Sequence, residues 1–280
     1  DIITYNDCHI GLNSGLSNPT VTCLFQDKGC DDKLWIGTDG EGMNLLDLET
    51  GEFTHWENTL KKKVVSIASY SDKELALSVY GDRILLFDRS NGRVRTLQIN
   101  DEELNYHIKY SGRSVNLINE ADGSLLLISN SVWRLDKESG RCIKIDVERK
   151  TKPNIFLIGH TEEGTWFHDS DGIYLLPVGG GSFQTKGNLA DHTIRCGDIG
   201  EGNTIWLATS GGLQTFDMGK GTFGHVSTTL FNGATVVACD RNSRVWIGTE
   251  DAMFAYLIKS DSFALFGESD GVMANEYLSK

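Results

Sequence analysis

Short apolar runs separated by turn residues follow one another through residues 34–56, LWIGTDGEGMNLLDLETGEFTHW. Leu34–Gly37, Met43–Leu48 and Phe53–Trp56 each have the length and the alternation of a β-strand. The first gap carries two glycines, and the second places a glycine four residues after an aspartate, which favours a short hairpin loop. The stretch therefore predicts three consecutive antiparallel strands.

This pattern recurs with a period of about forty residues. Positions equivalent to Trp35 lie 41, 50, 40, 40 and 40 residues apart, at Ala76, Leu126, Trp166, Trp206 and Trp246. An aspartate and a glycine stand four residues apart at Asp47 and Gly51, Asp88 and Gly92, Asp136 and Gly140, and Asp217 and Gly221. Pro177 with Gly181 and Leu257 with Asp261 occupy the same positions in the other two units.

A further apolar strand precedes the marker in the repeat, at Val21–Phe25, Val64–Ala68, Val115–Ile118, Ile155–Ile158 and Thr235–Cys239. Each unit then has four strands, and the units begin near residues 20, 64, 114, 154, 193 and 234. Four-stranded units of this length are typical of the blades of a β-propeller. The sequence predicts an all-β fold, one β-propeller domain over residues 1–280 with six recognisable blades.

The two ends of the chain resemble parts of a seventh blade. Ile2–Tyr5 is similar to an outer strand, and Asn275–Leu278 is similar to an inner strand. We therefore expect a ring of seven positions in which the seventh blade is incomplete, with closure of six blades as the alternative.

The longest interval places about ten extra residues between Leu97 and Ser114. This insertion carries aromatic and basic side chains, namely Tyr106, His107, Lys109, Tyr110 and Arg113. Because surface loops tolerate insertions, a surface loop is the simplest interpretation, and contact with a ligand or a partner is the alternative.

Composition narrows the function classes. With 31 Gly and 3 Pro among 280 residues, turns are frequent and helix should be scarce. A formal net charge of −13 argues against nucleic acid or an anionic membrane as the main partner. No stretch has the roughly eighteen apolar residues of a membrane span, and the first ten lack the order of a signal peptide. We expect the sequence to be part of a longer protein.

The sequence contains no recognisable catalytic or metal-binding motif. The six cysteines have neither zinc-ligand spacing nor a disulfide framework, so most are expected to be unpaired thiols. His160 and His168, with Asp169 and Asp171, are the best metal-ligand candidates, but a strand and a turn separate them. HExxH, phosphate-loop and G-x-S-x-G patterns are absent. We predict neither a metal nor a cofactor, and no enzyme activity for this fragment.

Several segments resemble the repeat of the two-component regulator propellers. LWIGTDGEGMNLLDLETGEF, TIWLATSGGLQTFD and RVWIGTEDAMFAY share its aromatic strand, Gly-Thr, glycine pair and Asp-terminated strand. SGLSNPTV and DGVMANEY are similar to the linkers between its blades. The resemblance covers essentially all of residues 1–280, strongly in the first, fifth and sixth units and weakly in the second to fourth, where Ala76 and Leu126 replace the aromatic marker.

That family provides the sensor half of hybrid two-component systems in polysaccharide-using gut bacteria. The resemblance implies a periplasmic propeller that binds a glycan-derived oligosaccharide and signals across the membrane to a histidine kinase. It implies a second propeller and downstream signalling domains of the same chain as partners, leaves a homodimer open, and implies no nucleic-acid contact. None of the signalling domains is recognisable in these residues, so binding is the activity expected of them.

Other propeller families share parts of the pattern. DLETGEFTHW also resembles the repeat of quinoprotein dehydrogenases, but only the first unit has the full ending. TEEGTW resembles the Asp-box turn of sialidases in one unit of the six. Because fold does not fix function, a carbohydrate-active hydrolase or lyase and a protein-binding scaffold are the alternatives.

Loops after the second strand and the outer-to-inner connections of a propeller share one face, where ligand sites collect. The side chains that we expect there are Asp39, Glu41, Tyr80, Asp82, Arg83, Tyr110, Arg113, Asn130, His168, Asp169 and Asp171. Tyr80, Arg83, Tyr110 and Arg113 are preferred, because aromatic faces stack on sugars and guanidinium groups grip carboxylate or sulfate. For each, an ordinary turn residue is the alternative.

Overall fold

The computed structural model describes residues 15–56, 61–110, 115–120, 122–129, 131–145, 155–226, 231, 233–249, 252–267 and 270. They form 24 strands in six four-stranded antiparallel sheets. The chain divides into two compact units, one ending at Ile145 and the other containing the residues after it. No helix in the part of the chain described here is long and apolar enough to cross a membrane.

The unit that ends at Ile145 contains blades 1 to 3. Blade 1 consists of β1 (Val21–Phe25), β2 (Lys33–Thr38), β3 (Met43–Asp47) and β4 (Phe53–His55). Blade 2 consists of β5 (Val64–Ser69), β6 (Glu74–Val79), β7 (Leu85–Asp88) and β8 (Val94–Thr96). After α1 (Glu102–Tyr110), blade 3 consists of β9 (Asn116–Asn119), β10 (Leu125–Ile128), β11 (Val132–Leu135) and β12 (Cys142–Ile145).

The other unit contains blades 4 to 6. Blade 4 consists of β13 (Phe156–Thr161), β14 (Gly164–His168), β15 (Gly172–Pro177) and β16 (Gln184–Asn188). Blade 5 consists of β17 (Ile194–Ile199), β18 (Thr204–Thr209), β19 (Gly212–Asp217) and β20 (Thr222–His225). Blade 6 consists of β21 (Val236–Cys239), β22 (Arg244–Gly248), β23 (Met253–Leu257), a 3-10 helix (Ile258–Ser260) and β24 (Ser262–Phe266).

The predicted fold class, an all-β propeller of four-stranded blades, is confirmed, because each sheet pairs its strands in chain order. The register follows the repeat: the residue two before the marker pairs with the turn residue, as in Lys33 with Asp47 and Thr204 with Asp217. The pieces assigned to a seventh blade, Ile2–Tyr5 and Asn275–Leu278, lie outside the described residues.

The predicted Asp and Gly turns close the hairpins between third and fourth strands. Asp47 Oδ1 accepts hydrogen bonds from the backbone N–H groups of Glu49 and Thr50, at 3.1 and 2.9 Å. The N–H bonds of this turn lower the pKa of Asp47 to about 2. Gly51 has a φ of 74°, a left-handed conformation that costs a glycine little. The spacing of four residues therefore reflects one turn geometry.

Aromatic side chains at the marker positions join neighbouring blades. Trp35 of blade 1 stacks on Trp56 with ring centroids 5.4 Å apart and meets the edge of Phe87 of blade 2 at 5.8 Å. In the other unit, Trp206 of blade 5 contacts Tyr256 of blade 6 at 5.7 Å. Since a single thin blade cannot bury both of its faces, these contacts between blades form the core.

The insertion after blade 2 is a helix rather than the surface loop that we predicted. Helix α1 buries Leu104 and Ile108 in the apolar cluster that also contains Trp133 of blade 3. Asp101 caps its first turn by accepting the N–H of Leu104 at 2.8 Å. The prediction failed because only two of the described side chains of the helix are apolar and buried, and that pattern is too short to distinguish a helix from a loop.

The five described cysteines form no disulfide with one another. Cys23, Cys196 and Cys239 lie in the first strands of blades 1, 5 and 6, and Cys142 begins an outer strand. Partial burial raises the pKa values of Cys142 and Cys239 to about 12, which suits unreactive structural thiols. Cys8 lies outside the described residues.

Candidate functional site

The linker that enters blade 1 is fixed by polar contacts at one end of the blade. Asn44 is fully buried; its Oδ1 accepts the backbone N–H of Ser17 at 2.9 Å, and its Nδ2 donates to Ser17 Oγ at 2.9 Å. Asn18 Oδ1 accepts the N–H of Thr20, and Asn18 Nδ2 donates to the carbonyl of Asp39. The Ser and Asn positions of the SGLSNPTV linker therefore set the path of the chain into β1.

The connections between blades lie at the same end as the loops after the second strands. In blade 1 the N–H of Asp39 donates to the carbonyl of Thr20 at 3.0 Å. In blade 2 the N–H of Tyr80 donates to the carbonyl of Lys63 at 2.9 Å, and Lys63 forms a β-bridge with Asp39. The chain entering blade 2 is thus held between the loops of blades 1 and 2.

Two ion pairs cross this connection. Lys63 Nζ lies 3.0 Å from Asp39 Oδ2 of blade 1, and Lys62 Nζ is paired with Asp82 of blade 2. The hydrogen bond from Lys62, followed by the backbone N–H of Arg83, lowers the pKa of Asp82. All four side chains are about a third to a half exposed, so each pair contributes on the order of 1 kcal/mol or less.

An exposed aromatic ring and an exposed guanidinium stand beside these pairs. The Tyr80 side chain is 57% exposed, which is high for a large hydrophobic residue in the described part of the chain. Arg83 is exposed, and no carboxylate of the described residues lies within ion-pair distance of its guanidinium. The blade 1–2 surface is defined here as the six residues Asp39, Lys62, Lys63, Tyr80, Asp82 and Arg83. Glu41 lies next to it and is exposed.

The blade 1–2 surface contains four of the eleven site candidates, which are Asp39, Tyr80, Asp82 and Arg83. Tyr110 is the last residue of α1, and its backbone alone is described. Arg113 and Asn130 lie outside the described residues. Their roles in a ligand site stay predictions.

His168 and Asp169 are buried, in contrast to the exposed loop positions that we expected. His168 is 1% exposed, stacks on Phe156 with centroids 5.4 Å apart, and donates from Nδ1 to the carbonyl of Asp169 at 3.0 Å. Asp169 Oδ1 accepts the N–H groups of Asp171 and Gly172, each at 2.8 Å. Burial lowers the pKa of His168 and raises that of Asp169.

Asp169 occupies the position of the Gly-Thr threonine in the repeat, three residues after the marker tryptophan. In blade 1, Thr38 Oγ1 donates to the carbonyl of Gly42 at 3.1 Å, and in blade 5, Thr209 Oγ1 donates to that of Gly212 at 2.8 Å. Asp169 closes the corresponding loop of blade 4 by accepting N–H groups instead. Its contacts are those of a turn residue, so neither it nor His168 belongs to the blade 1–2 surface.

The two histidines that were the best metal-ligand candidates, His160 and His168, do not converge. His160 pairs with Thr165 and His168 pairs with Phe156, so the two histidines lie at opposite ends of the β13–β14 hairpin. Among the residues described, no group of three or more His, Cys, Asp or Glu side chains could hold a metal ion.

Sequence reasoning missed the lysines of the blade 1–2 surface. Residues 61–63 form the only run of three consecutive basic residues in the sequence, within a chain of 39 acidic and 26 basic residues. Such a run in an acidic sequence could have indicated a local cationic surface. Its position between two blades, however, follows only from the pairing of Lys63 with Asp39.

Comparison with known proteins gives the fold but no family. No family model and no curated protein matches the chain. Among solved structures, virginiamycin B lyase from Staphylococcus aureus superposes with a TM-score of 0.66 at 12% identity, covering 89% of this chain and 84% of the lyase.

Two structures of the extracellular domain of BT4673 from B. thetaiotaomicron also match, each with a TM-score of 0.66 and 20% identity. One is described as a one-component system and the other as a hybrid two-component system. They cover 95% and 97% of this chain but only 36% and 37% of their own, so the chain spans about a third of that domain. At these identities the likeness extends to the fold alone.

Proposed function

We propose that this chain is the ligand-binding propeller of an extracytoplasmic, periplasmic sensor of the two-component regulator type, and that it binds a glycan-derived oligosaccharide. The repeat resemblance supports the proposal, and so does the similar fold of an extracellular domain described as part of a hybrid two-component system. The histidine kinase, a second propeller and any homodimer partner would lie outside these residues.

The observation that carries the binding site is the geometry of the blade 1–2 surface. Tyr80 offers an exposed ring, and Arg83 offers a guanidinium without an ion-pair partner among the described residues. A sugar presents C–H faces that pack on aromatic rings and hydroxyl groups that accept from guanidinium N–H groups. Both side chains follow β6, so the scaffold fixes their spacing.

Signalling from such a site requires a difference in affinity between two arrangements of the longer protein. A ligand that binds both arrangements equally shifts neither, however tight the binding is. Residues 61–63 lie between blade 1 and blade 2, where Lys63 is paired with Asp39 and Lys62 with Asp82. A ligand that binds Lys62 therefore acts at the connection between the two blades. We expect the ligand to favour one arrangement of these blades and the domains beyond them.

The test is calorimetric titration of the chain with a panel of oligosaccharides, together with chromatography of the products. We expect saturable binding without turnover, and Tyr80→Ala should weaken it roughly tenfold. Tyr106→Ala is the matched control, because Tyr106 is 63% exposed on α1, outside the blade 1–2 surface.

Three results would contradict the proposal. Cleavage of an oligosaccharide by the pure chain would favour the enzyme alternative, for which virginiamycin B lyase offers a similar fold. Equal affinities of Tyr80→Ala and Tyr106→Ala would place the site elsewhere on the chain. A stable protein complex with no affinity for any glycan would favour the scaffold alternative.

A further inference from the structure

The charge of the blade 1–2 surface differs from that of the chain around it. The surface carries three cationic side chains, Lys62, Lys63 and Arg83, against two acidic ones, Asp39 and Asp82. The whole sequence has 26 basic residues against 39 acidic ones. Lys61 and Glu41 are exposed beside the surface and add one charge of each sign. The surface is therefore a cationic region on an acidic protein.

The cations differ in how firmly they are held by carboxylates. Lys62 and Lys63 are paired with aspartates at side-chain exposures of 50% and 42%, where water competes with the pair. Arg83 and Lys61 have no carboxylate partner among the described residues. An incoming anion can therefore reach two cations directly, and replacing Asp82 at Lys62 costs little.

The exposed ring of Tyr80 lies within the same surface. Its backbone N–H bonds to the carbonyl of Lys63, and Arg83 follows three residues later in the same loop. A small inorganic anion would bind the cations and leave the Tyr80 ring unused. A neutral sugar would pack on the ring and leave the positive charges unused. A sugar ring that carries a carboxylate or a sulfate uses both.

We infer that the ligand of this surface is an anionic oligosaccharide, a uronate or a sulfated sugar, whose acidic group binds Arg83 and Lys62 while its ring packs on Tyr80. This inference rests on the proposed function and specifies the chemical class of its ligand. Binding removes Lys62 from Asp82, so the ligand exchanges one ion pair for another across the loop of blade 2.

The experiment compares three tetrasaccharides of matched length by calorimetry: a neutral glucan, an oligogalacturonate and a carrageenan fragment, which carries sulfate and no carboxylate. We expect saturable binding of at least one charged probe, at least tenfold tighter than the neutral probe. Raising sodium chloride from about 50 to about 500 mM should weaken it several-fold, because salt screens surface charges. The two charged probes distinguish a carboxylate site from a sulfate site.

Matched variants locate the binding. Arg83→Gln and Lys62→Gln should each weaken the charged probe roughly tenfold. Lys33→Gln is the control, because Lys33 is also a lysine that is 42% exposed and paired with an aspartate, Asp47, at 3.2 Å. Lys33 begins β2, whereas Asp39 of the blade 1–2 surface follows the other end of that strand. The melting temperature of each variant confirms that the exposed substitution leaves the fold intact.

A second readout follows the ion pair itself. Titration of Asp82 by carbon-detected NMR should show its pKa rising towards the ordinary range when the charged probe saturates the chain, because Lys62 no longer donates to it. Lys33→Gln should leave this rise unchanged.

The outcomes separate this inference from the proposed function. If the neutral tetrasaccharide binds as tightly as the charged ones, the anionic class is wrong and the sensor proposal stands. If Lys33→Gln weakens the charged probe as much as Arg83→Gln does, the attraction is a property of the whole surface and the site is wrong. If no oligosaccharide binds, both proposals are wrong.

Discussion

Asp198 in β17 accepts a hydrogen bond from the backbone N–H of Cys239 in β21 at 2.7 Å, so one carboxylate joins the first strands of blades 5 and 6. It also accepts the N–H of Ile199 at 2.9 Å. Burial raises the pKa of Asp198, and the two N–H bonds offset only part of that effect. Blades 2 and 3 make a similar link with an amide: Asn119 accepts the N–H of Ser69 and donates to its carbonyl, both at 2.7 Å.

Replacing the carboxylate should therefore change how the stability of the protein depends on pH. Because the folded pKa of Asp198 lies above the unfolded value of 3.8, the charged form costs stability at higher pH, and that cost disappears as pH falls through the folded pKa. Asp198→Asn removes the charge, but its one amide oxygen can accept only one of the two N–H bonds that Oδ1 and Oδ2 now accept. The lost hydrogen bond should cost about 1 kcal/mol at every pH, and removal of the charge should offset part of that cost at pH 7 only.

Urea unfolding between pH 4 and pH 8 measures this effect. The stability of Asp198→Asn relative to the parent should fall towards pH 4, where the parent carboxyl no longer carries its charge. Asn119→Asp should lose about 1–3 kcal/mol at pH 7, since a carboxylate cannot donate to the carbonyl of Ser69. A constant difference between Asp198→Asn and the parent across the whole range would show that the charge is irrelevant.

His168 gives a pH dependence of the opposite sign. Burial holds its folded pKa below 6.5, so the unfolded chain takes up a proton first, and stability should fall as pH drops from about 6.5 towards the folded pKa. His168→Phe keeps an aromatic ring against Phe156 and cannot titrate. This variant should be less stable than the parent at pH 8, because it lacks the hydrogen bond to Asp169. Its free energy of unfolding should not show the part of the fall between pH 6.5 and pH 5 that His168 causes in the parent. Urea unfolding at each pH measures the free energy of unfolding of both proteins. An equal fall in the parent and in His168→Phe would contradict this assignment.

The fold could be predicted because each blade repeats the same local chemistry. Asp47 and Gly51 close one hairpin by the contacts that their spacing predicts, and the register around the markers follows the forty-residue period. The helix over the insertion could not be predicted. Its burial depends on Leu104 and Ile108 meeting a cluster from blade 3, which is information that lies outside the segment itself.

The candidate site was predicted only in part. Tyr80 and Arg83 follow a strand at a turn, and such residues are exposed by default. His168 and Asp169 occupy similar sequence positions, yet Phe156 and the N–H groups of the loop bury them. Burial of a turn residue depends on which side chain lies opposite it in the fold, and a single sequence does not give that information.

The α1 helix should be a structural part of blade 3. Leu104 is fully buried and Tyr106 is 63% exposed on the same helix. Leu104→Ala should lower the free energy of unfolding by about 2–5 kcal/mol, because it leaves a cavity in the cluster around Trp133. Tyr106→Ala should change it by less than about 0.5 kcal/mol. Chemical denaturation of the two variants measures both losses. If both losses in the free energy of unfolding are small, α1 is a loosely attached insertion and not a structural part of blade 3.

Gly92 closes the blade 2 hairpin against the tryptophan pair of blade 1. A Cβ at this position would overlap the indole of Trp56, and the backbone φ of 71° disfavours any side chain. Since Trp56 stacks on Trp35 and meets the edge of Phe87 at 5.3 Å, the indole cannot move without disturbing the contact between blades.

Gly92→Ala should therefore lower the free energy of unfolding by more than the backbone strain alone would. Gly123 is the matched control, because its φ is 84° and a Cβ there meets no atom within 4 Å. We expect about 1 kcal/mol of destabilisation for Gly123→Ala, from the backbone alone, and about 2–4 kcal/mol for Gly92→Ala, with the overlap added. Tryptophan fluorescence and urea unfolding measure both the stacking and the stability. Equal losses in the two variants, with unchanged emission, would mean that Trp56 moves aside freely and does not hold blades 1 and 2 together.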